Sequence, residues 1–527
     1  RCSWLKLPRR QLSTHLPEPA KSVYIFAMWR WHVCCAVLAS MTLARGWTPD
    51  ECTKSTSSSM FQVRSSISIS KASPTCAPLK NEGTYFTVET CVGTPPQCFD
   101  TVADTGSDNV IVSSCVCNEL AGTGCGLHDK CFRGTSKSST FLISEQPIIE
   151  SITFGSGTVD TAVATDVVSV GSATANMSEG VLLLLNRAEL DVSADFQGIL
   201  GLGVPKRSAA AYTSSAVVME QTSGGSDEVS RALSSGTCML FPQLCKEGAR
   251  HSRALGATEE APSELFLEAA QIQRFSMCFQ DSAQPGALRL QVPPFREPIP
   301  QIGQLHWGVS FMGLSVGLRG GSAGSALFCG PGSMAEGMQS PCGIIPDSGT
   351  TLITGPPHQV SMLQAELCKE WPRCNRLSGG PSSAKFEDLL LRCSTWISEG
   401  GLDEIPSIFF QVGAGDGKVK TFELTSWAWV TLEIIDGQSF CSPGFGSMDY
   451  YTGENGPVWI FGMPLFFEYT VGFDLNANEV SFEKSACNPC EDNNASTFVT
   501  LPQGTRRQPR RGKGQRLVRP MDVSLPL

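Results

Sequence analysis

The chain has 527 residues, 41% hydrophobic and 17% charged, which is enough apolar side chain for two or three packed domains and excludes a chain disordered in bulk. A formal net charge of −10 argues against nucleic acid as the main partner and for solubility, and says nothing of a substrate. Twenty-two cysteines exclude an ordinary cytosolic enzyme, and their close pairs read as a disulfide framework made in an oxidising compartment. With six histidines, no finger-like spacing joins Cys115, Cys117, Cys125 and Cys131 to a second pair, so no metal site is expected. Many short Val/Ile/Thr/Phe runs are broken by Gly, Pro, Asn and Ser, which predicts mostly β structure.

In chain order, residues 1–44 read as an upstream segment followed by a secretory signal. Met28 is the expected start, Arg30 the basic n-region and Val33 to Leu43 the apolar run, with an anchor helix as the alternative. Residues 45–82 are Ser/Thr-rich, contain Cys52 and Cys76, and carry few basic residues; a short leader or prosegment, or an added strand, is expected there. From Glu82 the alternation of Tyr85, Thr87 and Glu89 with Phe86, Val88 and Thr90 predicts a strand. GTPPQ is then a turn and the next run its hairpin partner, with Cys91 and Cys98 placed to close the hairpin. The connectivity of Cys115, Cys117, Cys125 and Cys131 stays open.

The run FDTVADTGSDNVIVSSC at 99–115 delivers Asp104 onto a tight turn that Gly106 permits, beside the hydroxyls of Thr105 and Ser107. The second half repeats it. GIIPDSGTTLITGP at 343–356 places Asp347 after an apolar run and before Ser348, Gly349 and Thr350. Two matched acids meeting at an approximate two-fold axis would share one proton and hold a water between them, and would titrate as a pair. Between the copies, ITFGSGTVDTAVATDVVSVG at 152–171 predicts a hairpin with Gly155 and Gly157 at its tip, and GILGLG at 198–203 is an apolar register mark. Residues 206–263 turn polar and small, an inserted surface loop with Cys238 and Cys245. LHWGVSFMGLSVG at 305–317 opens the second half; Cys329 with Cys342, and Cys368 with Cys374, are the next candidate pairs. If Cys2, Cys34 and Cys35 leave with the leader, nineteen cysteines remain, and buried Cys278 is expected to be the unpaired one. Beyond Cys487 and Cys490 the chain becomes a polar, basic tail (487–527), expected to be disordered and removable. Asn176 and Asn494 are glycosylation candidates.

Together YFTVETCVGTPPQCFDTVADTGS at 85–107, ITFGSGT at 152–158, FQGILGLGVP at 196–205, the DSGTT copy and WIFGMPLFFEYTVGFD at 459–474 resemble the pepsin-like (family A1) eukaryotic aspartic proteases. The resemblance spans roughly residues 83–486. It implies a mostly β, bilobal fold with pseudo-two-fold lobes, 83–300 and 301–486, and a cleft between them. It makes Asp104 and Asp347 the catalytic pair, with Ser107 and Thr350 bonding the outer carboxylate oxygens and Thr105 and Ser348 tying the two loops. It makes Phe154, Gly155, Ser156 and Gly157 a flap over bound peptide, near Ile111; the family usually has tyrosine at Phe154 and tryptophan at Ile111. Cys393 and Cys441 match a long-range bridge of the second lobe.

The activity implied is an endopeptidase with an acidic optimum and hydrophobic residues at the cut, acting on peptide or protein substrates. It needs no cofactor or metal. A monomer without a stable membrane span, in the secretory pathway and destined for an extracellular, vacuolar or lysosomal site, is expected. The alternative from another class is a catalytically weak or inactive pepsin-like binding or inhibitor protein. Serine and metal hydrolysis find no GxSxG or HExxH motif, and His306 and His358 read as surface or packing residues.

Overall fold

A computed structural model describes residues 75–190, 196–205, 265–280, 284–435 and 438–490, all within one compact unit, Ser70–Leu527. The expected signal segment, the inserted loop with Cys238 and Cys245, the tail beyond residue 490 and Asn494 lie outside the described residues.

Alternating and fully apolar runs pair into two large sheets, giving the mostly β, bilobal pepsin-like fold. In each, the strand that ends at an acid has the same neighbours in the same order. In the first, Gln97–Asp104 lies parallel to Gly198–Gly201, which is antiparallel to Val110–Ser113, itself parallel to Ala173–Asn186. In the second, Cys342–Pro346 lies parallel to Gly456–Phe461, which is antiparallel to Ile353–Gly355, itself parallel to Phe445–Ser447. Val110–Ser113, Gly198–Gly201 and Cys342–Pro346 each lie between two paired strands and are buried along their whole length.

The 13-stranded sheet continues away from the first acid through Phe86–Val92, Thr75–Asn81, Gly286–Leu290, Arg274–Cys278, Thr470–Asp474 and Glu479–Glu483. It therefore takes strands from both halves of the chain. The stretch expected as leader or prosegment contributes Thr75–Asn81, with Ala77 and Leu79 buried, held between Phe86–Val92 and Gly286–Leu290. Aromatic side chains fill the space behind it: Phe86 stacks on Phe279 at 3.9 Å and Phe275 on Phe473 at 4.7 Å. Burial of each such ring is worth about 2 kcal/mol. In the second half, the helices Pro357–Glu370 and Ser382–Leu391 pack Leu363, Leu367, Phe386 and Leu390 into the same core.

Eight disulfides join described cysteines. Cys91–Cys98 closes the first hairpin, where the two residues stand opposite each other in register. Cys115–Cys131 and Cys117–Cys125 settle the open connectivity of that loop. Cys329–Cys342, Cys368–Cys374 and Cys393–Cys441 pair as expected. The expectation of an unpaired Cys278 is corrected: it is bonded to Cys487, and Cys76 to Cys490. The shared sheet explains both. Arg274–Cys278, Gly286–Leu290 and Thr75–Asn81 are successive neighbours, and Phe482 lies level with Met277 across Val471, so the segment leaving Glu479–Glu483 meets Cys278 first and Cys76 two strands further on.

Candidate active site

The strand Gln97–Asp104 ends with Asp104 buried, because the chain must turn at Thr105–Gly106 before re-entering the sheet at Val110. Gly106 N–H donates to Asp104 Oδ1 at 2.9 Å and Ser107 Oγ to Asp104 Oδ2 at 2.5 Å. The second loop repeats both bonds: Gly349 N–H donates to Asp347 Oδ1 at 2.9 Å and Thr350 Oγ1 to Asp347 Oδ2 at 2.5 Å. Each glycine leaves space for the opposite acid. A Cβ on Gly106 would lie 2.7 Å from Asp347 Oδ1, and one on Gly349 would overlap Asp104 Oδ1.

Four reciprocal hydrogen bonds lock the loops together. Ser348 Oγ donates to the carbonyl of Ala103 at 2.7 Å and accepts from Thr105 N–H at 2.9 Å. Thr105 Oγ1 donates to the carbonyl of Pro346 at 3.0 Å and accepts from Ser348 N–H at 3.0 Å. All four groups are buried, so each bond left unmade would carry the desolvation cost of an orphaned polar group, about 1–3 kcal/mol. Thr351 Oγ1 adds a bond to the carbonyl of Thr84 at 2.6 Å.

The two carboxyl groups are in hydrogen-bonding contact and neither has solvent exposure. Burial pushes the Asp104 carboxyl well above its ordinary value and the negative charge of Asp347 pushes it further; the bonds from Ser107 and Gly106 oppose this. Burial also raises Asp347, against the bonds from Thr350, Asp104 and Gly349. Two buried carboxyls in contact cannot both ionise cheaply, so the pair retains one proton to higher pH than a lone aspartate.

The predicted flap is the hairpin of Ile149–Phe154 and Gly157–Val170, with Gly155 and Ser156 at its turn. Gly157 has φ 139° and its Cβ direction is filled by the Glu189 carbonyl, so the tip rests against the segment Arg187–Leu190. Phe154 and Ile111 are 3% and 1% exposed and share one apolar cluster with Tyr85, Val102, Leu190 and Ile199. The space beside these two departures is thus occupied by neighbouring apolar side chains. Phe154→Ala is expected to cost about 3 kcal/mol, read as a lower Tm, and to raise the KM for a peptide more than it lowers kcat; an unchanged KM would detach Phe154 from substrate binding.

His306 is buried and Asn176 is exposed on its strand. Among the described residues, the one tight group of potential metal ligands is Glu89 with Cys91 and Cys98, and both cysteines are spent in a disulfide. The run at 198–203, read from the sequence as a register mark, and its counterpart behind Asp347 also supply backbone donors to the acid loops. Leu202 N–H donates to the Asp104 carbonyl at 2.7 Å and Gly203 N–H to that of Ser107 at 2.7 Å; on the other side Met463 N–H donates to the Thr350 carbonyl at 2.8 Å. The paired apolar-apolar-Gly runs at 199–201 and 460–462 were the available signal.

The sequence pattern described as eukaryotic aspartyl protease matches residues 84–224 and 329–485, more than half of the chain and both acid loops. The chain belongs to that family. Among its relatives, cathepsin E of Mus musculus is 26% identical over 391 residues, covering 74% of this chain and 77% of the relative. Renin of Canis lupus familiaris is 24% identical over 399 residues, covering 76% and 79%. Pepsin A of Sus scrofa is 24% identical over 393 residues, covering 74% and 78%. At such identities the family is shared while the family's chemistry has to be argued for this chain from its own residues.

Proposed function

We propose that the protein is an aspartic endopeptidase of the secretory pathway that hydrolyses peptide bonds with Asp104 and Asp347 as general acid and base. The observation that carries this reading is the doubled carboxyl loop: two acids in contact, each with its outer oxygen on a hydroxyl, held by a reciprocal Thr105–Ser348 lock. The ionised member takes a proton from a water between the carboxyls as that water attacks the scissile carbonyl carbon, and the protonated member donates to the carbonyl oxygen. The tetrahedral gem-diol then collapses with cleavage of the C–N bond: the carboxyl that took the water's proton gives it to the leaving nitrogen, and the other carboxyl, now ionised, takes a proton from one hydroxyl as the new acid forms. No covalent intermediate forms on the protein. Ser156 Oγ is buried at the flap tip without a hydrogen-bond partner among the described residues, a polar group that an extended peptide would satisfy. The apolar cluster under the flap favours hydrophobic side chains at the cut. Eight disulfides fit an oxidising compartment. Among the described residues no helix is long and apolar enough to cross a membrane.

The test is turnover of a mixed peptide library across pH with and without a statine-type inhibitor. Because both carboxyls are raised by burial, the shared proton persists above the ordinary aspartate value of 3.8 and is lost as pH rises further. Activity should therefore be highest at acidic pH and fall on the alkaline side with that proton; a rate that climbs through neutral pH would refute the shared-proton scheme.

One observation favours the second reading, a pepsin-like binding protein. Asp104 and Asp347 have no solvent exposure and the flap is packed down, so a peptide reaches the pair only after the site opens. Tight peptide binding without turnover by the processed chain would establish that reading.

A further inference from the structure

The two acid loops are backed differently. Behind Asp347, the strand Gly456–Phe461 runs straight into the helix Met463–Glu468, whose Phe466 carbonyl accepts from Phe279 N–H at 2.8 Å and anchors the backing segment in the large sheet. Behind Asp104, the strand Gly198–Gly201 runs into residues 202–205, which form no helix. Leu202 N–H holds the Asp104 carbonyl, and the Leu202 carbonyl in turn accepts a buried 2.8 Å bond from the indole Nε1–H of Trp307.

Trp307 belongs to the other half of the molecule. It stands two residues before the strand Val309–Gly317, whose Val309 pairs with Ile344 on the strand that ends at Asp347. Its ring meets Phe473 at 5.1 Å and Phe275 at 6.0 Å in the shared sheet. Another side of it borders a cavity of about 420 Å³ lined also by Val204, Leu267 and Ile272. Packing buries the indole, which is 1% exposed, and the hydrogen bond to Leu202 is its directional contact with the segment behind Asp104.

We propose that Trp307 is a positioning residue for Asp104: its indole N–H carries the register of the Asp347 sheet to the segment behind Asp104 and so sets the alignment of the two carboxyls. As a statement about catalysis this rests on the reading under Proposed function. As a statement about geometry it does not, and the test separates the two. Asp347 is the ionisable neighbour that acts on Asp104, so an acid loop released from its backing moves away from that charge and towards water, and Asp104 titrates at lower pH.

The full chain is compared with Trp307→Phe and with benzothienylalanine at position 307, which keeps the ring shape and lacks the N–H. Phe275→Leu is the control that damages the same aromatic cluster and leaves the indole bond intact. The Asp104 carboxyl carbon is followed by 13C NMR, assigned by its absence in Asp104→Asn. Both position-307 variants should lower the pH at which Asp104 titrates and cut kcat roughly tenfold with KM within about twofold, while Phe275→Leu lowers Tm and changes neither. An Asp104 titration unchanged in the shape-preserving variant overturns the proposal, as does a kcat equal to that of Phe275→Leu in a chain that turns over. A wild-type chain that cleaves no peptide defeats the functional reading alone, because the titration still decides what Trp307 does.

Discussion

Asp104→Asn and, separately, Asp347→Asn are expected to lower kcat for peptide cleavage by about 10⁴-fold while leaving the fold in place. In each replacement the amide oxygen still accepts from the loop N–H of Gly106 or Gly349, while the amide NH2 donates to the hydroxyl of Ser107 or Thr350, which turns to accept, so the loop keeps two hydrogen bonds. What is lost is the ability to pass a proton. The two losses should not add, because one proton shared by two oxygens is a single device and removing either half stops it. Steady-state turnover of a fluorogenic peptide, with Tm measured on the same preparations, decides the matter; cleavage by either variant within tenfold of wild type at unchanged Tm would remove the pair from the chemistry.

The same substitution has a second consequence for stability. Asp104 and Asp347 bind protons more tightly folded than unfolded, so between the ordinary aspartate value of 3.8 and their raised folded values the native state holds more protons than the unfolded chain. Stability then falls as pH rises through that window. Asn at position 104 removes that contribution, and the Tm of the variant should decline less with pH over the same range.

Removing the bridges that tie Cys487 and Cys490 to the large sheet should be the largest stability effect. Cys278–Cys487 closes 209 residues and Cys76–Cys490 closes 414. In the chain-entropy account, loops of that length give each bridge about 5–6 kcal/mol by restricting the unfolded state. Cys278→Ser with Cys487→Ser is expected to lower Tm by about 10 °C. Loss of a local bridge such as Cys368–Cys374, six residues apart, should matter less. The comparison is made by calorimetry on the non-reduced proteins; equal Tm losses for the two pairs would mean that the long bridges act by native-state packing and not through the unfolded chain. The N-terminal strand Thr75–Asn81 sharpens this result, since Cys76 ties it to the C-terminal segment and the strand itself fills a central position in the sheet.

Both acid loops are legible in the amino-acid sequence because their chemistry is local. An apolar strand, an aspartate, a residue without Cβ and a hydroxyl three residues on are consecutive in the chain, and the fold only has to bring the two copies face to face. The flap hairpin and the bridges Cys91–Cys98, Cys329–Cys342 and Cys368–Cys374 are legible for the same reason: the bridged cysteines are separated by 7, 13 and 6 residues. Phe154 and Ile111 are recognisable as departures, but not their fate. Whether two missing polar partners leave a hole or a packed cluster depends on Tyr85, Leu190 and Ile199, which arrive from other parts of the chain.

What the amino-acid sequence determined by itself was therefore the make-up of the two acid loops: which acids, which hydroxyls beside them, and where the chain turns. Only the tertiary structure decided the partners of Cys278 and Cys76, the place of residues 75–81 inside the sheet, and the bond from Trp307 to the segment behind Asp104. The physical reason lies in loop closure. Bringing together residues hundreds of positions apart costs only slightly more entropy than bringing together residues about fifty apart, so spacing cannot choose among distant partners. The sheet chooses them, by burying Phe275, Phe473 and Trp307 together and so setting residues 75–81, residues 470–490 and both acids in one frame.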